Sequence, residues 1–427
     1  MTRKIRIAIS GGGVAGAVTI HALLKHSHLD PHIFESASAF KEAGIAFGVT
    51  RNARASLALI GDSATECLKR AGGVPMKGVR FFLGEGKDAG ELVHERDNEA
   101  MGKTTTTIVQ RANFLREMLA DVPRERMHTS KKLESVDRQQ DDSLLLRFAD
   151  GTTHECDILI GADGIRSTVR KILLGKDDPA ANPRNSGSWA VFTMHPYEKA
   201  RNSIGNAPVN QEDAREYGWT GEGGFMLHNL FSNGSLVQFT VTGIDQDAIG
   251  SDKWQRTFTP KEFKDLYIGK GWVPHMEQAV TDLLCDEPER KGIYLFEHPH
   301  ARTYVDGPIC VLGDAAHATT PFQASGGGMS IEDAMIISTL LGNARSPSEG
   351  QAALKAYDQV RRPRTQRIVD SSWVTGKMLM GVDEGAGMDP KKLYEALLHR
   401  WDFILDFDIE QHREEALVLM KKEIGKS

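Results

Sequence analysis

The chain has 427 residues, of which 40% are hydrophobic and 26% charged, and its formal net charge is -6. This length favours two domains or one large domain with insertions, and the composition is that of a soluble globular protein. The acidic balance and the absence of a basic block in the sequence argue against a nucleic-acid partner.

Cysteine spacing and apolar runs indicate the cellular environment. Cys67, Cys156, Cys285 and Cys310 lie far apart without a CxxC pair. This spacing disfavours a zinc site or a disulfide framework and predicts reduced thiols. No apolar run of the sequence approaches the roughly 20 residues that cross a bilayer. The start, MTRKIRIAIS, alternates charge with apolar residues and predicts a strand rather than a signal peptide. We therefore expect a cytoplasmic protein with no metal and no membrane partner.

The first predicted elements form a dinucleotide-binding unit. An alternating strand ending at Ser10 is followed by Gly11-Gly12-Gly13-Val14-Ala15-Gly16, which matches G-x-G-x-x-G, and then by an apolar helix. The first glycine of this motif makes the tight turn, the second lets backbone approach a pyrophosphate, and the third lets helix and strand pack closely. A second strand, 31–34, is followed directly by Glu35, at the position where a ribose-binding carboxylate is expected. Glutamate rather than arginine here favours an unphosphorylated ribose, as in FAD or NAD.

The next stretch combines a short helix with a strand excursion. Arg51 and Arg54 begin a predicted amphipathic helix, where each can meet a phosphate or a carboxylate substrate. Solvated helix charges are the alternative interpretation of both. Residues 72–108 predict strands that leave the nucleotide domain and return. Arg111 then stands where a strand end feeds a helix, a position from which it can bond to the linker of a dinucleotide.

Two further strands are predicted to end at the same edge as the first glycine turn. Residues 127–148 predict a β-rich segment with a hairpin turn at Asp150-Gly151. The strand Cys156–Ile160 then runs into a turn containing Asp163, and the strand Ile309–Leu312 runs into Gly313-Asp314 and a Gly-rich turn that opens a helix. Ligands gather at the carboxyl ends of strands in a doubly wound sheet, so these turns predict one site.

Residues 185–296 predict a mostly antiparallel sheet that walls a pocket against the nucleotide domain. Turns are predicted at Gly223-Gly224 and at Asn233-Gly234, the second of which is a good hairpin signal. The remaining pattern is helical, and the predicted helices are 261–267, 275–284, 334–341, 351–361, 373–379, 390–399 and 411–422. The predicted domains are an FAD-binding domain (1–72, 101–184 and 297–372), a substrate-binding sheet domain (73–100 and 185–296) and a C-terminal helical segment (373–427).

With these motifs the chain resembles the single-component FAD-dependent aromatic hydroxylases (class A flavoprotein monooxygenases), and within them the fungal salicylate-hydroxylase-like group. The resemblance covers about residues 5–370 and rests on three motifs: GGGVAG with Glu35, Asp157-Ile-Leu-Ile-Gly-Ala-Asp163-Gly164, and Gly313-Asp314-Ala-Ala-His-Ala with Pro321 and Glu332-Asp333. It implies an α/β fold of the para-hydroxybenzoate-hydroxylase type. This fold has a Rossmann-like FAD-binding domain, an inserted antiparallel substrate sheet and C-terminal helices.

The resemblance also implies which residues hold FAD. The glycine turn approaches the pyrophosphate, Glu35 binds the adenosine ribose, and Asp163 belongs to a motif linked to both FAD and reduced nicotinamide. Asp314 contacts the ribityl or pyrophosphate part, and the 326–328 backbone meets the isoalloxazine edge. The full implied set is Gly11, Gly13, Val14, Ala15, Gly16, Glu35, Arg111, Asp163, Gly313, Asp314, Gly326, Gly327 and Gly328.

The implied activity is hydroxylation of a small phenolic substrate with O2 and NADH or NADPH, through a flavin C4a-hydroperoxide. The chain has one G-x-G-x-x-G, which suits a nicotinamide cofactor that binds only transiently. Salicylate or another ortho-substituted phenol is the implied substrate, with decarboxylation in the case of salicylate. The alternatives are a dearomatising hydroxylase or epoxidase of secondary metabolism, and a flavin oxidase or dehydrogenase. The sequence leaves both a monomer and a homodimer open.

Several side chains are candidates for catalysis. His228 is the candidate base for the phenol, because the pKa of a histidine suits proton transfer near pH 7. Tyr217 and His195 are weaker candidates, and a satisfied residue of the sheet is the alternative interpretation of all three. Pro321 is expected to line the pocket on the flavin face, and Arg51 (or Arg54) to bind a substrate carboxylate.

Three features near the last motif have a structural interpretation. His317 is expected to be a satisfied structural histidine, and Glu332-Asp333 to serve helix capping and packing. Tyr357–Arg364 is expected to be the surface and core of a helix.

Overall fold

The computed structural model describes residues 3–41, 46–205, 214–231 and 234–426. Its strands, in chain order, are β1 (Ile5–Ser10), β2 (Leu29–Phe34), β3 (Ala46–Val49), β4 (Val74–Met76), β5 (Gly78–Leu83), β6 (Leu92–Asp97), β7 (Thr106–Gln110), β8 (Met127–His128), β9 (Leu133–Arg138), β10 (Leu144–Phe148), β11 (Thr153–Cys156), β12 (Ile158–Gly161), β13 (Arg184–Pro196), β14 (Arg215–Gly221), β15 (Gly224–Phe231), β16 (Leu236–Ile244), β17 (Gln255–Phe258), β18 (Arg290–Glu297), β19 (Val305–Asp306) and β20 (Ile309–Val311).

The α-helices of the described ranges alternate with these strands and then complete the chain. They are α1 (Val14–Leu23), α2 (Arg51–Ile60), α3 (Asp62–Arg70), α4 (Arg111–Leu119), α5 (Thr168–Leu174), α6 (Tyr197–Ile204), α7 (Pro260–Tyr267), α8 (Pro274–Ala279), α9 (Asp314–His317), α10 (Gly326–Asn343), α11 (Pro347–Leu379), α12 (Pro390–Leu397), α13 (Asp402–Leu405) and α14 (Ile409–Ile424). A π-helical turn, Val280–Leu284, extends α8, and a 3₁₀ turn, Pro321–Gln323, precedes α10.

A six-stranded sheet carries the predicted nucleotide-binding unit. Its order is β19-β20-β12-β1-β2-β8, and every neighbouring pair except β19–β20 is parallel. The apolar residues of β1, β12 and β20 are buried together with those of α1 and α10. Because β1, β12 and β20 are neighbours and parallel, the turns that follow them lie side by side. The prediction that these three turns share one edge is confirmed.

An eight-stranded sheet forms the second layer that matters for the site. Its order is β17-β18-β13-β16-β15-β14-β5-β6, and all pairs are antiparallel except β14–β5. The predicted α/β fold with an inserted, mostly antiparallel sheet is therefore confirmed. The turn at Gly223 joins β14 to β15 as predicted, whereas Asn233 lies outside the described residues. The expected domain division and its boundaries stay a prediction.

Two smaller sheets complete the β structure. Strands β3, β7 and β4 pair in the order β3-β7-β4, so part of the excursion after residue 72 packs beside the nucleotide domain. Strands β9, β10 and β11 form an antiparallel sheet whose tight turn is Asp150-Gly151, as the sequence predicts. Gly151 has a φ of +80°, which only glycine adopts without strain.

Two helix predictions are wrong in their extent. Helix α10 begins at Gly326 rather than at residue 334, because its first turn packs against α2 and β3. Helix α11 runs unbroken where the sequence predicts separate helices at 351–361 and 373–379, and it contains Pro363. A proline inside a helix removes a backbone hydrogen bond, but buried arginines on both sides of Pro363 hold this helix to α10. Among the helices that the structure describes, none is long and apolar enough to cross a membrane.

Candidate active site

A cavity of about 640 Å³ lies where the six-stranded sheet meets the eight-stranded sheet. Turns of the nucleotide-binding layer line one side of it, and the face of the eight-stranded sheet lines the other. Representative lining residues are Gly13, Ala15, Asp314 and Gly327 on the first side, and Leu227 and Thr240 on the second. The cavity therefore joins the predicted cofactor turns to the predicted substrate wall.

Two glycines of the turn after β1 have no room for a side chain. Gly11 has a φ of +110°, and a Cβ added there would lie 2.2 Å from the backbone oxygen of Ala162. A Cβ on Gly16 would lie 2.1 Å from the oxygen of Gly11. The turn thus packs closely on the end of β12 while Gly13, Val14 and the next residue line the cavity.

The N-termini of two long helices open onto this cavity. Among the described residues, no side chain makes a capping hydrogen bond at Gly13 of α1 or at Ser325 of α10. The positive end of a helix dipole attracts an anion, and a glycine lets the anion approach the backbone. Gly326 and Gly327 line the cavity, and a Cβ on Gly327 would lie 2.4 Å from the Phe47 ring. Gly328 instead faces Thr50 and α2, so the structure places it outside the cavity lining.

The predicted carboxylates of the cofactor site have different surroundings. Glu35 follows β2 and reaches back to the glycine turn, where its Oε2 accepts a hydrogen bond from the Gly12 N–H at 2.7 Å. Its Oε1 accepts another from the Ala37 N–H at 2.7 Å. Asp314 opens α9, Arg111 opens α4, and both residues line the cavity. These positions agree with the expected contacts to a dinucleotide, which stay a prediction.

Asp163 does not direct its carboxylate into the cavity. Its Oδ2 accepts hydrogen bonds from the N–H groups of Thr168 at 2.7 Å and Val169 at 3.1 Å, so it holds the N-terminus of α5. Burial raises the pKa of Asp163, and the hydroxyl of Ser167 and these N–H groups oppose that shift. The expectation of direct cofactor contact is therefore corrected at this residue, while its neighbours Ala162 and Gly164 line the cavity.

A buried ion network supports the Gly313-Asp314 turn. Asp333 accepts hydrogen bonds from the Gly313 N–H at 3.0 Å and from Arg361 Nε at 2.7 Å, and it contacts His317 Nε2 at 2.6 Å. Gly313 has a φ of +60°, so the turn depends both on glycine and on this carboxylate. His317 is buried and paired within the protein, in agreement with the structural interpretation.

Glu332 extends the same network to α2 and α11. Its carboxylate contacts Arg361 Nη1 at 2.6 Å and Arg364 Nε at 2.8 Å, and Asn52 Nδ2 donates to Oε1 at 2.5 Å. Burial alone raises the pKa of a carboxyl, but the two guanidinium groups outweigh burial and hold the pKa of Glu332 well below its usual range. Burial also raises the pKa of Asp333, but His317 and Arg361 outweigh burial and lower it. Both carboxylates therefore form a buried network, which goes beyond the expected helix capping.

Strand alternation decides which side chains of the sheet meet the cavity. Glu216, Asn229 and Gln238 are paired in register across β14, β15 and β16, and all three line the cavity. We call these three residues the polar row. The adjoining positions of the cavity face are mainly apolar, among them Phe192 and Leu227. This wall accommodates a flat apolar ring with a polar group at one end.

His228 and Tyr217 lie on the opposite face of the sheet, so their predicted role is corrected. Both side chains are buried away from the cavity, and the two rings stack with centroids 5.2 Å apart. The indole N–H of Trp219 donates to His228 Nε2 at 3.2 Å. Burial lowers the pKa of His228 to about 3, which keeps the imidazole neutral at working pH. His195 lies on the same face of β13 as Val191, which is buried on the side of the sheet away from the cavity. Burial lowers the pKa of His195 as well.

Replacing His228 tests this correction. We expect His228→Phe to leave the shape of the kcat profile between about pH 6 and pH 9 unchanged, because a histidine that stays neutral does not titrate there. The variant should lose about 1–3 kcal/mol of stability, since the Trp219 N–H loses its acceptor. His228→Gln retains an acceptor and should recover part of that loss in a thermal melt. A new limb in the pH profile of either variant would contradict the placement.

Arg51 and Arg54 do not reach the cavity, and their predicted carboxylate-binding role is corrected. Arg51 donates from Nε to the Leu405 carbonyl at 2.6 Å and forms an ion pair with Asp406. Arg54 donates to the Thr105 carbonyl at 3.0 Å. Both arginines therefore fasten α2 to neighbouring segments. Pro321, in contrast, lines the cavity at the start of its 3₁₀ turn, where the sequence predicts it.

Glu216 is a candidate functional residue that the sequence alone does not reveal. Glu216 stands between Arg215 and Tyr217 on β14. Side chains alternate along a strand, so Glu216 lies on the opposite face of the sheet from these two residues. The sequence does not tell which face meets the cavity. Gln323 is a second omission, since it lines the cavity with a buried Oε1 that has no protein partner among the described residues.

Comparison with known proteins identifies the relatives of this chain. The FAD binding domain family matches residues 250–372. The 6-methylsalicylate 1-monooxygenase of Aspergillus terreus is 32% identical over 98% of this chain and 93% of that protein. A salicylate hydroxylase of Pseudomonas putida is 30% identical over 99% of this chain and 96% of that protein. A solved salicylate hydroxylase substrate complex, 24% identical, has a TM-score of 0.83 over 97% of this chain and 98% of that one.

Proposed function

The chain belongs to the FAD-dependent monooxygenases, and we propose that it hydroxylates a phenolic aromatic ring with O2 and NADH or NADPH. One observation carries this proposal. The glycine turns that suit a dinucleotide and the sheet wall that suits an aromatic ring line the same cavity. An oxygen-transferring cofactor needs its substrate in that arrangement, shielded from water.

The residues of the nucleotide-binding side suit FAD. Gly11 and Gly16 leave no room for side chains beneath the turn, so a pyrophosphate can approach the N-terminus of α1. We assign Glu35 to the adenosine ribose and Arg111 with Asp314 to the middle of the cofactor. Gly326 and Gly327 then present backbone to the flavin. These assignments rest on the positions of the residues around the cavity and on the family motifs.

The protein has three tasks in this reaction. Reduced FAD, once bound, supplies the oxygen chemistry, and the chain positions the ring, excludes water and manages the phenol proton. Phe192, Leu227 and Pro321 provide apolar surface against which a ring can pack. A polar group on the same wall then orients the phenol hydroxyl relative to the flavin.

The cellular setting remains a proposal. Cys67, Cys156 and Cys310 are buried free thiols, which suits the reducing cytoplasm that the sequence predicts.

The test is NADH and NADPH oxidation by the FAD-loaded protein, with and without a panel of phenols, followed by mass analysis of the products. We expect a phenol to stimulate oxidation and to gain one oxygen atom. Stimulation that yields only hydrogen peroxide would identify that phenol as an effector. If no phenol stimulates oxidation of either nucleotide, the hydroxylase proposal is wrong.

A further inference from the structure

The polar row presents one carboxylate and two amides to the cavity. One amide N–H of Asn229 donates to the Leu230 carbonyl at 3.1 Å, and one of Gln238 donates to the Thr240 hydroxyl at 3.1 Å. These bonds leave each amide its oxygen and its second N–H, on the two strands that follow the strand of Glu216 in the sheet. Within the described part of the chain, no hydrogen-bond or ion-pair partner of that carboxylate is found, and its surroundings act on it only through burial. A ligand group that donates hydrogen bonds fits this row.

Among the described residues, no cation of the cavity lining acts on the Glu216 carboxylate. Among the described residues, the lining cations are Arg111 and Arg166. Arg111 opens α4 on the nucleotide side. Arg166 lies over the Trp254 ring at 3.9 Å, beside β17 and β18. Four strand spacings separate β18 from the strand of Glu216, or roughly 19 Å at the usual distance between strands. The ranges outside the described residues contain no lysine, arginine or histidine.

The Glu216 carboxylate and the missing countercharge determine what the wall can bind. A substrate carboxylate at the row would face a second carboxylate with no countercharge, and like charges disfavour each other strongly in a closed site. A phenol hydroxyl has the opposite character, since it donates a hydrogen bond and carries a proton that a base can accept. The row therefore discriminates by charge between aromatic rings of similar size.

Building on the proposed hydroxylation, we propose that the polar row binds the hydroxyl of a phenol that carries no carboxylate, and that Glu216 accepts the proton of that hydroxyl. The O–H bond of the phenol breaks, its electron pair stays on the phenol oxygen, and a new O–H bond forms on the Glu216 carboxylate. The step needs no oxidant. Its product is an electron-rich phenolate, which is the form that accepts oxygen readily.

The ionisation of Glu216 suits this step. Burial raises its pKa to about 7, near the pH at which the enzyme works. The charged neighbours on adjacent strands do not face it. Arg215 and Arg80 lie on the opposite face, where they contact Glu95. Its in-register partners on the adjacent strands, Val79 and Asn229, are uncharged.

Two ligands of the same shape separate this inference from its alternatives. Salicylate and 2-hydroxybenzyl alcohol share the ring and the hydroxyl but differ in charge, and their dissociation constants can be measured on the FAD-loaded enzyme from flavin fluorescence. At about pH 8 we expect the alcohol to bind at least about tenfold more tightly than salicylate. At about pH 6 the ratio should shrink, because Glu216 then takes up a proton and loses its charge.

Glu216→Gln removes both the charge and the base while keeping the shape. We expect it to abolish the pH dependence of the binding ratio and to improve salicylate binding relative to the alcohol. The kcat for an uncharged phenol should fall about 100-fold or more, and its acidic limb near pH 7 should disappear. The melting temperature should not fall, since the glutamate has no partner to lose among the residues that the structure describes. The matched control is Glu134→Gln, an exposed glutamate on β9, which should leave every readout unchanged.

Tighter binding of salicylate than of the alcohol by the wild-type enzyme at about pH 8 would overturn the inference. An unchanged ratio and an unchanged acidic limb in Glu216→Gln would overturn it as well. The binding ratios are measured without turnover, so they decide the inference even if no phenol stimulates NADH oxidation. In that last case it is the proposed function that fails.

Discussion

Arg361→Met is expected to lower the free energy of unfolding by about 3–5 kcal/mol, the usual cost of removing one partner from a buried ion pair. Arg361 contacts both Glu332 and Asp333, and all three side chains are fully buried. Methionine fills a similar volume but leaves Asp333 without its guanidinium partner. Because Asp333 also holds the Gly313 N–H, the loss should loosen the turn that lines the cofactor cavity.

The loss in free energy of unfolding caused by Arg361→Met should depend on pH. In the wild-type protein the pKa values of Glu332 and Asp333 are lowered, so both contribute stability that is present at neutral pH and is lost in acid. Without Arg361 the burial of Asp333 is offset only by His317 and the Gly313 N–H, so its folded-state pKa rises. Asp333 of the folded variant can then take up a proton. The loss in free energy of unfolding should therefore be smaller at about pH 5 than at about pH 8.

Denaturant unfolding of both proteins at the two pH values measures this effect. Arg362→Met is the matched control, because Arg362 lies on the same helix and forms a partly exposed ion pair with Asp358. We expect the control to lose less than about 1 kcal/mol. Equal losses in the two variants would show that the buried network contributes no more than a surface pair.

Gly11→Ala is expected to remove most of the bound FAD. The alanine would adopt a φ of +110° and would place its Cβ 2.2 Å from the Ala162 carbonyl oxygen. The neighbouring atom belongs to backbone at the end of β12, so it cannot rotate away. Strain and overlap together should cost at least about 3 kcal/mol. If the turn relieves them by moving, the N-terminus of α1 moves too, and FAD affinity should fall about 100-fold or more.

The flavin-to-protein ratio after purification and an FAD titration of the apoprotein measure this loss. Gly151→Ala is the control, because Gly151 has a φ of +80° but open space around the added Cβ. The control carries the backbone strain without the overlap and should keep its FAD. Circular dichroism separates a misfolded variant from a folded one that has lost the cofactor. Wild-type FAD affinity in a folded Gly11→Ala protein would contradict the role of the turn.

The cofactor side of the site was predictable from the sequence because its chemistry is local. Gly11 and Gly16 are required by atoms of their own turn and of one adjacent strand end. A short motif between a strand and a helix carries that information in consecutive residues. The order of parallel strands then brings the turns after β1, β12 and β20 to one edge, which the strand predictions also indicate.

The substrate side was not predictable in the same way. Side chains alternate along a strand, so the sequence separates Glu216 from Tyr217, and Asn229 from His228, without telling which pair faces inward. Arg51 illustrates a second limit, because it donates to the Leu405 carbonyl, 354 positions away. No local pattern contains such a contact.

By itself the sequence determined the family, the fold class and the turns that suit FAD, because these depend on backbone conformation and on residues close together in the chain. Only the tertiary structure decided which face of the eight-stranded sheet meets the cavity. It thereby removed His228, Tyr217 and Arg51 from the site and placed Glu216 there. The reason is physical: a strand has two equivalent faces until another layer packs against one of them, and that choice involves residues from the whole chain.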